Sequence, residues 1–215
     1  MFADRADAGR RLAHRLAAAH NEYSANDPLV VLGLPRGGVP VAFEIATMLD
    51  APLDVIVVRK IGVPHQPELA MGAIGEGDVR VVNRQVALRA GVDDAAFAKV
   101  EARERKELAR RAERYRRHRN RVPLVGRTAL IVDDGVATGS TARAACQVVR
   151  AEDAARVIFA APVAPPGAIG ALRQVADDVV VLETPEPFFA IGEFYDDFTP
   201  TPDEEVVRLL RLRYP

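Results

Sequence analysis

The chain of 215 residues has little of several residue types, and each shortage excludes a class of protein. A single cysteine, Cys146, excludes an internal disulfide and favours the reducing cytoplasm as the location. The sequence has no apolar run approaching the roughly 18 residues of a membrane helix and no apolar signal segment near Met1, so we expect no membrane partner. Neither sign of charge is in excess, with 29 Lys and Arg against 30 Asp and Glu, as in an ordinary soluble protein.

What the sequence does have is a regular alternation of short apolar runs and helix-forming segments. The apolar runs predict strands at residues 29–34, 54–58, 79–82, 128–133, 157–161 and 179–182. The other segments predict helices at residues 5–20, 39–49, 93–121, 140–151, 166–175 and 202–213. This alternation is typical of an α/β fold with a largely parallel central sheet flanked by helices, here as a single domain over residues 1–215.

The most informative segment runs from Ala129 to Thr141 and reads ALIVDDGVATGST. Its apolar residues predict a buried parallel strand, and Asp133 and Asp134 follow at the carboxyl end, where open α/β sheets bind ligands. The next loop is rich in small and hydroxyl residues and leads into a helix, whose positive amino-terminal end favours phosphate. Two carboxylates followed by such a loop suit a sugar phosphate, with the acids on ring hydroxyls and the loop on the phosphate.

This segment resembles the 5-phosphoribosyl-1-diphosphate (PRPP) signature of type I phosphoribosyltransferases. The resemblance implies that Asp133 and Asp134 hold the ribose hydroxyls and contribute weakly to binding Mg²⁺, which PRPP oxygens mainly hold. Gly135 departs from the family, in which an aliphatic residue is usual, but the change removes no ligand group. A plain turn between strand and helix is the alternative interpretation. The resemblance also implies a 5′-phosphate loop made of Ala137, Thr138, Gly139, Ser140 and Thr141.

A second loop, from Gly33 to Pro40, closes the first predicted strand. Its glycines allow close approach to a ligand, and the guanidinium of Arg36 suits bidentate phosphate contact. This loop resembles the pyrophosphate loop of the same family, which implies that Arg36, Gly37 and Gly38 bind PRPP. It also implies a catalytic role for Arg36 and a non-proline cis peptide in the loop. A solvated arginine on an ordinary turn is the alternative.

The segment from Val58 to Gly72 has two cations at a strand end, followed by prolines and glycines without a helical or strand period. We predict an irregular loop here, and long irregular loops in compact domains are often lids. The segment resembles the flexible catalytic loop of the family, most closely in its orotate-using members. That resemblance implies that Lys60 and His65 act in catalysis near the pyrophosphate. For His65, an exposed loop histidine is the competing interpretation.

The predicted helix 93–121 is strongly basic from Lys99 to Arg121, with eleven Lys or Arg against four Glu. A nucleic-acid surface is one interpretation of this charge. Glu–Arg pairs four residues apart stabilise a helix, and Tyr115 is the only aromatic residue in this stretch that could stack on a base. A solvated or oligomer-contacting face is therefore favoured, and we expect a homo-oligomer and no nucleic-acid partner.

The carboxyl-terminal region, residues 183–215, concentrates aromatic side chains on an irregular segment and resembles the hood of 6-oxopurine members. By that resemblance Phe189 stacks on a planar base and Asp196 accepts a hydrogen bond from it. The alternative is that the aromatic side chains close a small core. The identity of the base stays open, because the hood favours a purine, the Arg-Lys loop favours orotate, and Ala137 is typical of adenine-type members.

Together these segments predict a phosphoribosyltransferase that moves phosphoribose from PRPP to a nitrogenous base and releases pyrophosphate, with Mg²⁺ as cofactor. A non-catalytic regulator of the same fold is the alternative, since a fold does not establish a function. Such a regulator would sense PRPP or a nucleotide and bind nucleic acid through the basic helix.

Overall fold

The structure, a computed structural model, describes residues 1–18, 28–116 and 119–213. Its helices are α1 (Arg5–Ala18), α2 (Gly38–Met48), α3 (Arg84–Arg89), α4 (Asp94–Arg116), α5 (Ser140–Ala151), α6 (Pro166–Leu172) and α7 (Asp203–Leu212), with a 3₁₀ turn at Ile191–Phe194. Its strands are β1 (Leu29–Gly33), β2 (Leu53–Val55), β3 (Val58–Val63), β4 (Gln66–Gly75), β5 (Arg80–Val82), β6 (Thr128–Val132), β7 (Arg156–Val163) and β8 (Asp178–Glu183).

Five strands form a parallel sheet in the order β2–β1–β6–β7–β8. β1 and β6 are buried along their whole length, as expected for parallel strands covered on both faces. Successive residues point to opposite faces. Val31 packs in a core with α1, α2 and α7, whereas Val30 packs in a second core with α5 and α6. The predicted α/β fold with a largely parallel central sheet is confirmed.

The segment predicted as an irregular loop, residues 58–72, is instead a β-hairpin, so this prediction was wrong. β3 and β4 pair antiparallel, and β5 extends them to a second, three-stranded sheet. The pairing is irregular between Ile61 and Val63, which disturbs the alternation that normally indicates a strand. A Cβ at Gly62 would lie 2.6 Å from the Pro67 carbonyl oxygen, so the glycine allows the two strands to pair closely there.

Two predicted strands also differ from the observed ones. The strand predicted at 54–58 is divided, because β2 ends at Val55 in the central sheet and Val58 begins the hairpin. The strand predicted at 79–82 is β5, which belongs to the antiparallel sheet rather than to the central one. Both differences follow from the hairpin, whose strands leave the central sheet.

The long basic helix is confirmed as α4, but it ends at Arg116. The guanidinium of Arg116 donates to the Val55 carbonyl at 2.8 Å and forms an ion pair with Asp54, which ties this helix end to β2. Residues 119–121 are not helical, and residues 19–20 and 117–118 of the predicted helices lie outside the described residues.

Cys146 is buried in α5, and burial raises the pKa of its thiol to about 12, as expected for a small buried side chain rather than a reactive one. Over the described ranges, no helix is both long enough and apolar enough to cross a membrane.

Candidate functional site

The acidic pair lies at the carboxyl end of β6, in the middle of the central sheet. Asp133 donates its backbone N–H to the Ala160 carbonyl at 3.2 Å, which continues the strand pairing. The Asp134 carboxylate accepts from the Arg5 guanidinium at 2.8 Å, and both side chains are largely buried. The Asp134 backbone carbonyl accepts from the Tyr195 hydroxyl at 2.6 Å. Residues from both ends of the chain therefore hold Asp134 in place.

The Asp133 carboxyl group lies beside a second negative charge and away from water. Loss of water around its carboxyl group and the negative charge of Asp134 raise the pKa of Asp133 well above its usual value. Arg5 acts in the opposite direction, but its guanidinium contacts Asp134. Asp133 can therefore donate a hydrogen bond to a sugar hydroxyl when protonated and accept one when ionised.

The loop after the acids ends at the amino terminus of α5. Gly139 has a φ of 75°, a left-handed conformation that favours glycine, directly before the helix begins. The hydroxyls of Thr138 and Ser140 are 3.1 Å apart, and Ala137 and Thr141 are exposed. The first N–H groups of a helix have no partner within it, so this loop offers both backbone and hydroxyl donors to an anion.

Gly135, the departure from the family pattern, has a steric cause. A Cβ at this position would lie 2.4 Å from a methyl carbon of Ile191, and 3.1 Å from Val163. The 3₁₀ turn of the hood occupies the space that an aliphatic side chain would need.

The loop after β1 lies directly against the acidic pair. Its Pro35–Arg36 peptide bond is cis, as the family resemblance implies. A Cβ at Gly37 would lie 1.9 Å from the Asp134 carboxylate, and one at Gly38 would lie 2.4 Å from the last carbonyl of β6. Glycine at both positions therefore allows the two predicted ligand loops to meet.

The hairpin brings Lys60 to the phosphate loop. The Lys60 ammonium group lies 2.8 Å from the Glu68 carboxylate and 3.2 Å from the Ser140 hydroxyl. The Ser140 hydroxyl also lies 3.4 Å from Glu68, and the contact with Lys60 lowers the pKa of Glu68. His65 lies in the hairpin turn, exposed and with a φ of 69°. A carboxylate of the hairpin thus lies beside a hydroxyl that we predict to bind phosphate.

Two adjacent cavities lie beside the loop after β1 and α4, one of them also lined by the hairpin and the other by Asp203 of α7. The first (the cleft) has a volume of about 750 Å³, and Lys60, His65 and Thr141 are among its lining residues. The second (the arginine cavity) has a volume of about 330 Å³ and is lined by Pro35, Arg36, Arg110, Arg111, Arg114, Tyr115 and Asp203. Arg36 and Lys60, the two predicted catalytic cations, therefore line different cavities, which share Pro35 and Arg111.

The charges of α4 are largely paired within the protein. The ion pairs of its arginines are Arg103 with Glu104, Arg105 with Glu101 and Asp78, Arg110 and Arg111 with Glu107, Arg114 with Asp203 and Glu204, and Arg116 with Asp54 and Glu76. Binding to a nucleic-acid backbone depends on excess positive charge, and these carboxylates offset much of the charge of α4, so the pairing does not favour the regulator with a nucleic-acid-binding helix.

The hood divides its aromatic side chains between a small core and the surface. The Tyr195 ring packs on Phe2, with centroids 5.4 Å apart, and on Phe198, with centroids 4.9 Å apart. Phe189, in contrast, is 77% exposed, and Asp196 is exposed as well. Some aromatic residues therefore close a core, whereas the residues predicted to bind a base remain accessible; their role stays a prediction.

Three residues that shape the site were missed from the sequence. Arg5 and Tyr195 reach Asp134 from 129 and 61 positions away, and Glu68 reaches Ser140 from 72 positions away. Complementary charge was the only available signal for Arg5 and Glu68, and it is shared by many other residues of this chain. Tyr195 lies within the predicted hood, but nothing in the sequence indicates its contact with Asp134.

The acidic pair also bears on metal binding. Among the described residues, no group of three or more His, Cys, Asp or Glu is arranged to hold a metal ion. Asp133 and Asp134 supply hard oxygen donors of the kind that Mg²⁺ prefers. Two carboxylates suit an ion whose remaining ligands are substrate oxygens and water.

Comparison with known proteins defines the class. The family model described as phosphoribosyl transferase domain matches residues 5–198, so the chain belongs to this family. A protein of Mycobacterium tuberculosis (strain ATCC 25618 / H37Rv), provisionally named a phosphoribosyl transferase, is 57% identical over 210 residues, which cover 98% of this chain and 46% of that protein. The chain spans about half the length of this curated relative. The crystal structure of TT1426 from Thermus thermophilus is 44% identical and has a TM-score of 0.90, with 100% of both chains covered.

Proposed function

We propose that the protein is a phosphoribosyltransferase that uses PRPP and Mg²⁺, transfers phosphoribose to a nitrogenous base and releases pyrophosphate. The observation that carries this proposal is the packing of Gly37 against the Asp134 carboxylate, directly before the phosphate loop. In the proposed complex, Asp133 and Asp134 bind the ribose hydroxyls and residues 137–141 bind the 5′-phosphate. The pyrophosphate group then extends toward the loop that contains Arg36, Gly37 and Gly38.

In the proposed reaction, the bond from ribose C1 to the pyrophosphate oxygen breaks and a bond from C1 to a ring nitrogen forms. Negative charge grows on the leaving pyrophosphate, where Lys60 and Arg36 stabilise it. Asp133 and Asp134 would hold Mg²⁺ together with PRPP oxygens, and the ion would offset negative charge there. Asp133 and Asp134 fix the ribose beside the developing positive charge. Lys60 is paired with Glu68, so it must break that ion pair to reach the pyrophosphate.

The acceptor in this proposal is a small planar base bound under the hood. The exposed ring of Phe189 stacks on it, and the Asp196 carboxylate accepts a hydrogen bond from a ring N–H group. His65, in the hairpin turn, approaches the pyrophosphate only if the hairpin closes further. A cytoplasmic location and a homo-oligomeric state are further expectations of the proposal.

The test is a panel of nucleobases and related ring compounds incubated with the purified protein, PRPP and Mg²⁺ while pyrophosphate release is measured. We expect release with at least one base and none in the double variant Asp133→Asn/Asp134→Asn. PRPP binding without pyrophosphate release for any base would instead support the regulator. Failure of both PRPP binding and turnover would refute the proposal.

A further inference from the structure

The arginine cavity has the chemistry of an anion site. Four of its seven lining residues are arginines, and Asp203 is the single carboxylate among them. Asp203 is already engaged, because it pairs with Arg114 at 2.5 Å and accepts from the Tyr115 hydroxyl at 2.5 Å. Its direct contacts are thus with these two neighbours, and the other three lining arginines form no ion pair with it.

These three arginines retain unused hydrogen-bond donors. The Arg36 guanidinium forms no hydrogen bond or ion pair with any residue in the described ranges, and the residue is exposed. Arg111 uses only its Nε on Glu107, at 2.7 Å, and Arg110 uses Nε and one terminal nitrogen on the same carboxylate. A guanidinium has five N–H donors in a planar fork, so each of the three can still contact phosphate oxygens.

Charge and size together restrict the ligand. Glu107 and Glu204 pair with lining arginines and offset part of the positive charge. With Asp203 they make three carboxylates against four arginines, so the cluster keeps one excess positive charge, which favours an anion. The volume of about 330 Å³ is at the lower end of small-molecule sites and larger than one phosphate group needs. A lining of charged side chains, with Pro35 and the Tyr115 ring as the other contributors, suits a compact polyphosphate.

We propose that the arginine cavity is a second anion site, which binds a small polyphosphate separately from the ribose and 5′-phosphate site. Two lining arginines link this cavity to the proposed PRPP site. Arg36 belongs to the loop against the acidic pair, and Arg111 also lines the cleft. A bound polyphosphate holds Arg36 away from the pyrophosphate. PRPP affinity therefore falls, and by linkage PRPP weakens polyphosphate binding equally. Only this coupling rests on the proposed function.

The test uses inorganic triphosphate as the probe, titrated into the full chain without PRPP and followed by calorimetry. Three variants remove one positive charge each: Arg110→Gln in the arginine cavity, Lys60→Gln in the cleft, and Arg105→Gln on α4, which lines neither cavity. We expect Arg110→Gln to weaken binding by at least about fivefold, because it removes a donor fork. The other two variants should change the affinity by less than about twofold, since they alter only long-range charge.

Each alternative predicts a different ranking of these variants. Binding that is weakened most by Lys60→Gln would place the triphosphate in the cleft and overturn the proposal. Equal weakening by all three variants would indicate diffuse attraction and overturn it as well. Tighter binding of a single-stranded oligonucleotide than of triphosphate, lost in Arg110→Gln, would replace the small ligand with nucleic acid. A protein that binds triphosphate as expected but fails to bind PRPP would keep this site and refute the proposed function alone.

Discussion

The chain builds the phosphate side of the site and the hairpin side in different ways. The phosphate side, residues 133–141, follows one strand and enters one helix, so its groups are brought together by local backbone geometry. The hairpin side is held to α4 by contacts between distant residues, such as Arg59 with Glu104, 45 positions apart. The position of Lys60 therefore depends on charged contacts across the fold, whereas the position of the acidic pair follows from the end of β6.

The largest effect should come from breaking the charged contacts at the end of α4. Arg116 pairs with Asp54, whose side chain is 2% exposed, and with Glu76 at 2.9 Å. Arg116→Ala leaves both buried carboxylates without this partner, so we expect the free energy of unfolding to fall by about 3 to 5 kcal/mol. Urea denaturation measures this change.

Arg105→Ala is the matched control on the same helix, because the more exposed Arg105 pairs with Glu101 and Asp78. Its expected cost is below about 1 kcal/mol. Similar losses of unfolding free energy for the two variants would mean that the buried ion pairs of Arg116 stabilise the fold no more than the more exposed ones of Arg105.

The next effect tests whether the hairpin contributes chemistry in addition to structure. If a base substrate is found, Lys60→Ala should lower kcat by roughly 100-fold, the order expected for a lost preorganised stabiliser of the leaving group. PRPP affinity should change much less, because the acidic pair and the phosphate loop remain. Lys106→Ala, an exposed lysine on α4, is the control and should turn over normally. Normal turnover of Lys60→Ala would exclude Lys60 from the transition state.

The phosphate side is tested by the double variant Asp133→Asn/Asp134→Asn. We expect PRPP affinity measured by calorimetry to fall at least tenfold, about 1.4 kcal/mol, because both carboxyl groups proposed to bind the ribose are replaced. The variant also weakens the Arg5 ion pair, so Arg5→Gln serves as a control that keeps both acids. Equal losses of affinity in the two variants would assign the effect to the ion pair and not to ribose binding.

The phosphate side could be predicted from the sequence because each of its parts is local. An apolar strand, two acids, a left-handed Gly139 and a helix follow one another, and each part has its own signal in the residues. Gly37 and Gly38 were also recognised from the sequence, although their packing partners were not. Backbone approach requires glycine whichever partner is met, so this residue type indicates a close contact without identifying it.

The hairpin side could not be predicted because its signals are weak or shared. Gly62 and Pro67 interrupt the alternation of β3 and β4, so a paired strand was interpreted as an irregular loop. The basic residues of α4 could be solvated, paired or ligand-binding, and the residues that decide among these lie on other elements. Arg5 shows the same limit on the phosphate side, since nothing near it in the sequence indicates Asp134.

A smaller effect tests whether the hairpin competes with substrate for the phosphate side. The Glu68 carboxylate lies near Ser140 and pairs with Lys60, so it occupies groups that we expect PRPP to use. Glu68→Gln removes this negative charge, and PRPP affinity should rise a few-fold in a calorimetric titration. Asp94→Asn, at the first residue of α4 and outside both cavities, is the control for net charge. Unchanged or weaker binding in Glu68→Gln would contradict the competition.

The smallest effect concerns the stability of the phosphate side and is tested by the single variant Asp133→Asn. Burial and the neighbouring Asp134 charge raise the pKa of Asp133 in the folded protein, while the unfolded chain titrates near the usual value of about 3.9. The stabilising contribution of this group is therefore complete below the unfolded pKa and is lost as the pH rises through the folded pKa. Asparagine does not titrate, so thermal scans should give the variant a higher Tm than the wild type at about pH 8 and a much smaller difference at about pH 4. A Tm lowered equally at both pH values would show that the Asp133 carboxyl group stabilises the fold by its contacts and that its charge has no cost there.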